Sequence, residues 1–327
     1  MTVVFAKSRR AVYDDRSGRQ GCALDFVFDG LNIRMPDRKR KEKSHASIDV
    51  SIIGAGRLGT ALALALQARG YRIRSLVARH TQSARRAAAL LDAGTTPFAG
   101  NKIGSLPQAD LFLITTPDDQ IADVAAKLTK LQFTPKPVAL HTSGALSSDV
   151  LSSLKAQGWS TGSVHPLISV SDATTSIEGA FWCVEGDSRA VRLAKTIVRD
   201  LGGTSFSINS AEKPLYHAAA VMTAGHVTAL FDVALEMLVA CGLTRKTARQ
   251  ILQPLLASTV HNLETKDPTE ALTGTFSRGD VETVKRHLAA LKDHKLADAL
   301  ELYCKLGRRS IKLTKKQSGI SRILDGC

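Results

Sequence analysis

Apolar positions fall into two regimes along this chain. In the first, short unbroken apolar runs alternate with stretches whose apolar residues recur at helical spacing. Residues 48–53, 71–77, 110–116, 137–140 and 159–165 read as buried strands, with 60–69, 82–91 and 119–131 as helices among them. Within 119–131 the helical spacing is carried by Ile121, Val124, Ala125 and Leu128. Residues 95–98 read as a short connection or strand, and 181–185 and 204–208 as two further strands around a helix over 188–201. Strands that are apolar throughout, rather than alternating, are covered on both faces, which predicts a doubly wound, mostly parallel sheet. In the second regime, from Ala211 onward, the pattern is helical alone: 211–241, 244–264 and 280–316, interrupted by the turn-rich 271–280. The expected architecture is a doubly wound α/β domain over 47–208 followed by an all-α C-terminal domain over 209–327. Residues 1–46 are expected to form a basic, disordered extension.

The first strand runs directly into Gly54-Ala55-Gly56-Arg57-Leu58-Gly59 and then a helix. In that context each glycine has a task. The first permits the tight turn, the second lets a pyrophosphate approach the backbone, and the third lets helix and strand pack closely. The helix start adds free N–H groups and a partial positive charge. About 20 residues further on, an NAD site places a carboxylate for the ribose 2′-hydroxyl. Here that place is Arg79, and no Asp or Glu occurs between positions 50 and 91. A guanidinium can fork onto a 2′-phosphate, so NADP is the expected cofactor. Arg69, Arg85 and Arg86 read as a solvated helix face.

Motifs at the C-terminal ends of parallel strands line one crevice. The glycine turn, Thr116-Pro117-Asp118, His141-Thr142-Ser143-Gly144 and His165-Pro166-Leu167 should therefore converge. Thr116, Pro117, His141, Thr142 and Ser143 are expected on the cofactor, with Ser143 also on the substrate.

Charge changes the picture little. The net charge is +14, and residues 1–47 hold 11 Lys/Arg against 6 Asp/Glu. The densest block, 38–43, lacks interleaved aromatic residues, so nucleic acid is not an expected partner. The tail has no apolar secretory core, and Asp14, Asp15, Asp25 and Asp29 argue against a transit peptide. Met35, thirteen residues before the first strand, is a candidate natural start. No apolar run approaches the roughly 20 residues of a membrane span, so no membrane partner is expected. The five cysteines are scattered without metal-like spacing, which fits buried or incidental thiols in a reducing cytoplasm. The histidines likewise lack ligand spacing, and no metal is expected.

Five signatures occur in order: the glycine turn, His141-Thr-Ser-Gly144, His165-Pro-Leu167, Lys213-x-x-Tyr216-His217-Ala-Ala-Ala220 and Leu272-Thr-Gly-Thr-Phe-Ser-Arg-Gly-Asp280. Together they resemble the Rossmann-like proteins that carry the C-terminal domain DUF2520. That family is similar to the 6-phosphogluconate dehydrogenase, pyrroline-5-carboxylate reductase and prephenate dehydrogenase group. The resemblance spans about residues 47–316. It implies an NADP-dependent oxidoreductase acting on a small carboxylate-bearing imine or ketone, or the matching hydroxy or amino acid, bound between the domains of a homodimer. Oxidative decarboxylation like that of prephenate dehydrogenase is a second reading, and a non-catalytic NADP sensor or scaffold a third. The chain departs from many relatives in having Gly225-His226 where they have Asn.

Hydride transfer needs a donor or acceptor of protons beside the cofactor. Lys213, Tyr216, His217 and His226 belong to one predicted helix, with the first three on one face. The resemblance implies Lys213 as general acid or base, and the His-Pro pair of prephenate dehydrogenases implies a substrate contact for His165. His217, Tyr216 and His226 complete the catalytic candidates. Arg278 is the candidate clamp for a substrate carboxylate, and Asp280 reads as a helix cap.

Overall fold

The computed structural model describes residues 48–314 and 319–326. The expectations for the 1–46 extension, Met35 and the 38–43 block lie outside the described residues.

The chain runs β1 (Asp49–Ile53), α1 (Arg57–Gln67), β2 (Arg72–Ala78), α2 (Thr81–Ala88), β3 (Thr96–Ala99), β4 (Leu111–Ile114) and α3 (Asp118–Leu128). It continues through β5 (Val138–His141), a single turn α4 (Ser152–Lys155), β6 (Ser160–Leu167), β7 (Phe181–Gly186), α5 (Ser188–Asp200) and β8 (Thr204–Phe206). These strands make one sheet in the order β3-β2-β1-β4-β5-β6-β7-β8, parallel throughout except between β6 and β7. The chain leaves β1 toward β2 and returns on the other side to β4. That reversal opens a crevice at the C-terminal ends of β1 and β4.

Strand side chains alternate between two cores. Val50 and Ile52 pack with Leu62, Leu66 and Trp182 on one face, while Ile53 joins Phe112, Ile114, Ile121 and Trp159 on the other. With both faces covered, the strands can be apolar at nearly every position, the pattern legible in the sequence.

The end of β6 differs from expectation. β5 stops at His141, paired with Ser163, yet β6 continues to Leu167 because antiparallel β7 pairs with it, His165 opposite Cys183 and Pro166 opposite Trp182. His165 therefore stands within a strand, past the point where β5 has ended. Pro166, which has no N–H to donate, falls on the stretch with a neighbour on one side only.

The helices that follow are α6 (Lys213–Thr223), α7 (Gly225–Ala240), α8 (Arg245–Thr265), α9 (Pro268–Ala271), α10 (Gly274–Arg278), α11 (Val281–Asp293), α12 (Ala297–Thr314) and α13 (Ile320–Asp325). Residues 47–327 form one compact unit. Two expected helices are each divided. The 211–241 stretch breaks at Ala224 (φ −107°, ψ −69°), next to Gly225, a residue of low helix propensity. The 280–316 stretch breaks at Lys295, whose φ of +56° lets Leu296 N–H close on the Leu291 carbonyl at 3.0 Å. Asp280 caps α11, accepting from Thr283 N–H at 3.1 Å.

Two further expectations need correction. Ser210–Ala240 is long and apolar enough, by length and composition, to cross a bilayer, with a mean hydropathy of 1.5 over its best window. Lys213, His217, His226 and Asp232 interrupt that run in sequence, yet its best window still reaches this mean hydropathy. Only 6% of the window is buried, so this apolar surface lies open on the protein. Cys304 is disulfide-bonded, so thiols throughout is not the state of this chain; Cys183 and Cys241 are free.

Candidate active site

The glycine turn has the geometry its three glycines require. Gly54 has φ +119°, and a Cβ there would lie 2.6 Å from the Thr115 carbonyl carbon. At Gly59 a Cβ would come 2.5 Å from Thr115 Oγ1 and closer still to the Gly54 carbonyl oxygen. So α1 is drawn against the ends of β1 and β4. Gly56, by contrast, has nothing within 4 Å of where a Cβ would be, and it starts α1 without a side-chain cap. The turn thus leaves an open cradle facing uncapped N–H groups at an 11-residue helix, which fits a pyrophosphate. Ala55, Arg57 and Leu58 complete the turn, with Arg57 exposed.

A cavity of about 290 Å³ adjoins this turn, lined by Gly54, Arg79, Asn101, Thr116, Gln120 and Lys127 among others. Arg79 is exposed and makes no ion pair with any described residue, whereas Arg69, Arg72 and Arg74 are paired with Glu178 or Asp49. The carboxylate of Asp123 also reaches the cavity but is held by Lys127 at 2.6 Å. Thr116 Oγ1 is buried without a hydrogen-bond partner, an orphan polar group where a ligand could satisfy it. Pro117 sits at the N-cap of α3, has no N–H, and accepts from Gln120 N–H at 3.0 Å through its carbonyl.

The His141–Ser143 stretch departs from its expected role, since all three side chains are buried. His141 accepts from Ser143 N–H through Nδ1 and contacts the Ser147 carbonyl through Nε2, both at 3.2 Å. Thr142 Oγ1 donates to the Ile114 carbonyl at 3.4 Å. Ser143 Oγ donates to Asp118 at 2.8 Å and accepts from Ala145 and Leu146 N–H. Their polar atoms are committed to the turn after β5, so these side chains shape the crevice wall rather than meet a ligand.

What the turn delivers is Gly144. Around it gather His165 from β6 and Tyr216 and His217 from α6. His165 Nδ1 and Tyr216 OH are 2.8 Å apart, and the two imidazoles meet edge to face with centroids 5.5 Å apart. A Cβ on Gly144 would lie 2.8 Å from His165 Nε2 and nearer still to His217 Nδ1. His217 Nδ1 is buried without a partner. The register explains the meeting. Ser163 and His165 project from the same side of β6, and Lys213 and Tyr216 lie one turn apart on α6, so Lys213 takes Ser163 while Tyr216 takes His165.

Lys213 is wholly enclosed. Its ammonium donates to Ser163 Oγ at 2.6 Å and to the Ser143 carbonyl at 3.2 Å, and Glu185 lies at 3.8 Å. Burial pulls its pKa below the usual lysine range, and Glu185 opposes that pull. Glu185, in turn, accepts from Ser148 N–H and Oγ, both at 2.8 Å. The direct acid–base role expected for Lys213 does not match this placement: the side chain is wholly buried and lines none of the described cavities. Ser163 and Glu185 were not among the candidates; a carboxylate closing an otherwise apolar strand was the one available sign of Glu185.

Beside this cluster lies a cavity of about 460 Å³, lined by His165–Ser169 on one side and by Tyr216, His217 and the α6 face through Gly225 on the other. His226 is exposed on α7 and does not line it, because the break at Ala224 turns the helix there. Arg278 is exposed at the end of α10 and lines no described cavity. Among the described residues no cluster suits a metal ion.

Burial, aided by the Lys213 charge, pushes His141 down to about 3, and burial, aided by the His217 and Lys213 charges, pushes His165 down to about 4. Both rings are therefore neutral at pH 7. Unfolded histidines titrate near 6.5, so between about 6.5 and 4 the unfolded chain binds protons the native state refuses. Stability falls with falling pH by about 1.4 kcal/mol per unit for each ring. Urea midpoints should drop steadily from about pH 6.5 to 4.5, and the slope should flatten in His165→Asn. A midpoint independent of pH would contradict the assignment.

Residues 34–166 match the model of the Rossmann-like domain, and residues 180–310 match that of a domain of unknown function, DUF2520. No curated protein matches the chain. Among solved structures, a candidate NADP oxidoreductase from Bacteroides fragilis is similar at 23% identity and TM-score 0.69, covering 81% of this chain and 98% of that one. A protein from Thermotoga maritima gives 22% and 0.62 over 81% and 98% of the two chains. A pyrroline-5-carboxylate reductase from Coxiella burnetii gives 17% and 0.52 over 83% and 100%. The chain carries a Rossmann-like domain followed by a DUF2520 domain, in a fold it shares with pyrroline-5-carboxylate reductase.

Proposed function

We propose that this protein is an NADP-dependent oxidoreductase that reduces a C=O or C=N group, or oxidises the corresponding alcohol or amine. One observation carries the reading: an open glycine cradle follows β1, and at the same edge of the sheet, with β4 and β5 between, the neutral imidazole of His165 meets His217 edge to face. The relatives described as NADP oxidoreductase and as reductive aminase with NADPH support it through fold alone.

Gly54–Gly59 would hold the pyrophosphate, Arg79 the 2′-phosphate, and Thr116 would meet the cofactor between them. NADPH, when bound, supplies the hydride. With the Tyr216 O–H donating to Nδ1, His165 carries its proton on Nε2, which no described group occupies. That N–H can polarise a carbonyl oxygen or imine nitrogen and pass it a proton. His217, with a free Nδ1, holds the other side of the same point. Lys213 acts through others: its bonds to Ser143 and Ser163 fix the two segments that carry Gly144 and His165, making it a positioning residue. The carboxylate-bearing substrate expected from the sequence finds no cationic partner in the cavity.

A dimer through the helical lobe belongs to the same reading. Leu215 and Met222 on α6 are 71% and 66% exposed, and Ile251, Leu255 and Leu263 continue an apolar surface along α8. Light scattering across a dilution series should give twice the chain mass; a monomer at all concentrations would dispose of the dimer.

The reading as an enzyme is tested with His165→Ala. NADPH consumption with a panel of ketones and cyclic imines should fall about 100-fold, while NADPH binding persists. Turnover unaffected by the change would remove His165 from the mechanism. Binding of NADPH with no turnover on any panel member, in wild type as in the variant, would favour a sensor.

A further inference from the structure

The large cavity says more about the substrate than the reaction class does. Its polar groups are gathered at one end, where His165, Tyr216 and His217 meet. The remaining wall is Pro166, Leu167, Ile168 and the small residues of α6, relieved only by the Ser169 and Thr223 hydroxyls. No Lys, Arg, Asp or Glu lines it. Lys213, whose charge is felt at His165, is enclosed and already bonded to Ser163 and Ser143. Arg278, the one guanidinium that resembled a carboxylate clamp, stands elsewhere.

A carboxylate seated against this half-open apolar wall would give up part of its hydration without a charged partner, a cost that disfavours it against a neutral ligand of the same shape. A cationic amine would fare no better, since no carboxylate faces it. A neutral group with a single acceptor atom is different. It needs one or two donors at one end and hydrocarbon contact elsewhere, which matches the division of this cavity. The buried, unpartnered Nδ1 of His217 adds an independent sign that a ligand atom completes the polar end.

Resting on the oxidoreductase reading, we propose that the cavity takes an uncharged ketone or imine carried on a hydrocarbon body, with its heteroatom at His165, Tyr216 and His217 and no carboxylate handle. In the reducing direction the C=O or C=N carbon receives a hydride from NADPH, which becomes NADP+. The oxygen or nitrogen takes one proton, delivered from water through His165, and the product is the neutral alcohol or the amine.

Matched probes decide it. Pentyl methyl ketone is compared with the same ketone chain ending in a carboxylate, and a methyl-substituted pyrroline with its carboxylate-substituted counterpart. Each is titrated calorimetrically into the free and the NADP+-saturated full chain, and then assayed with NADPH. The neutral member of each pair should bind at least about tenfold more tightly and show the higher kcat/KM. Thr223→Arg, which places a cation on the rim, should narrow or invert that preference. Tighter binding of the carboxylates to wild type, or binding of neither member, overturns the proposal. Failure of the oxidoreductase reading shows separately, as absence of binding when NADP+ itself is titrated into the full chain beforehand.

Discussion

Gly144→Ala should abolish most turnover while leaving the protein folded and able to bind nucleotide. The added methyl would lie 2.8 Å from His165 Nε2 and closer to His217 Nδ1, distances that side-chain carbons do not adopt. The His165 side of the gap cannot yield cheaply. His165 is held by Tyr216 at 2.8 Å, and the turn that carries Gly144 is held by Lys213 and by the Ser143–Asp118 bond. The rings must therefore move by about 1 Å, and displacements of that size in a catalytic geometry cost about 100-fold. Overpacking should lower stability by about 1–3 kcal/mol. The measurement is kcat/KM beside NADPH affinity and thermal midpoint. Near-normal turnover in a folded variant would mean that the space between the imidazoles is not where chemistry occurs.

Gly59→Ala should act at the other end of the crevice. Its methyl would collide with the Gly54 carbonyl oxygen and lie 2.5 Å from Thr115 Oγ1. The first is backbone, and Thr115 Oγ1 already donates to that same carbonyl at 2.7 Å, so neither neighbour can retreat alone. Either α1 moves away from the strand ends or the turn opens, and both spoil the alignment of N–H groups with a phosphate. A loss of at least about tenfold in NADPH affinity is expected, with about 1–3 kcal/mol of stability. Unchanged affinity would place the dinucleotide elsewhere. The two variants separate the sites: Gly144→Ala should spare binding and lose turnover, whereas Gly59→Ala should weaken binding first.

The sheet and its order of helices and strands were readable because strands buried on both faces are apolar throughout and cannot be mistaken for amphipathic ones. The glycine turn was readable because each of its three glycines answers a steric demand that no other residue meets. Helical spacing puts Tyr216 and His217 on one face and strand order puts His165 near a strand end, but their meeting at Gly144 is a tertiary contact that neither pattern carries. The enclosure of Lys213 is not legible, since a lysine near a helix start looks the same in sequence whether its ammonium meets solvent or Ser163. Glu185 and Ser163 went unseen because their partners lie 28 and 50 residues away along the chain from Lys213. The divided helices escaped notice because a break at Ala224 or Lys295 is a matter of backbone angles that leaves the apolar pattern intact. His226 and Arg278 were drawn to the site by motif alone, and the structure leaves them outside it.

The central claim is that an NADP nucleotide binds at Gly54–Gly59 with Arg79 on its 2′-phosphate. Calorimetric titration of the full chain with NADPH and NADH, in wild type and in Arg79→Asp, tests it most directly. A charge-assisted hydrogen bond is worth about 1.5–3 kcal/mol, so NADPH should bind about 10- to 100-fold more tightly than NADH, and the variant should lose or reverse that preference. Equal affinity for both nucleotides would remove Arg79 from the site, and binding of neither would contradict the oxidoreductase reading altogether.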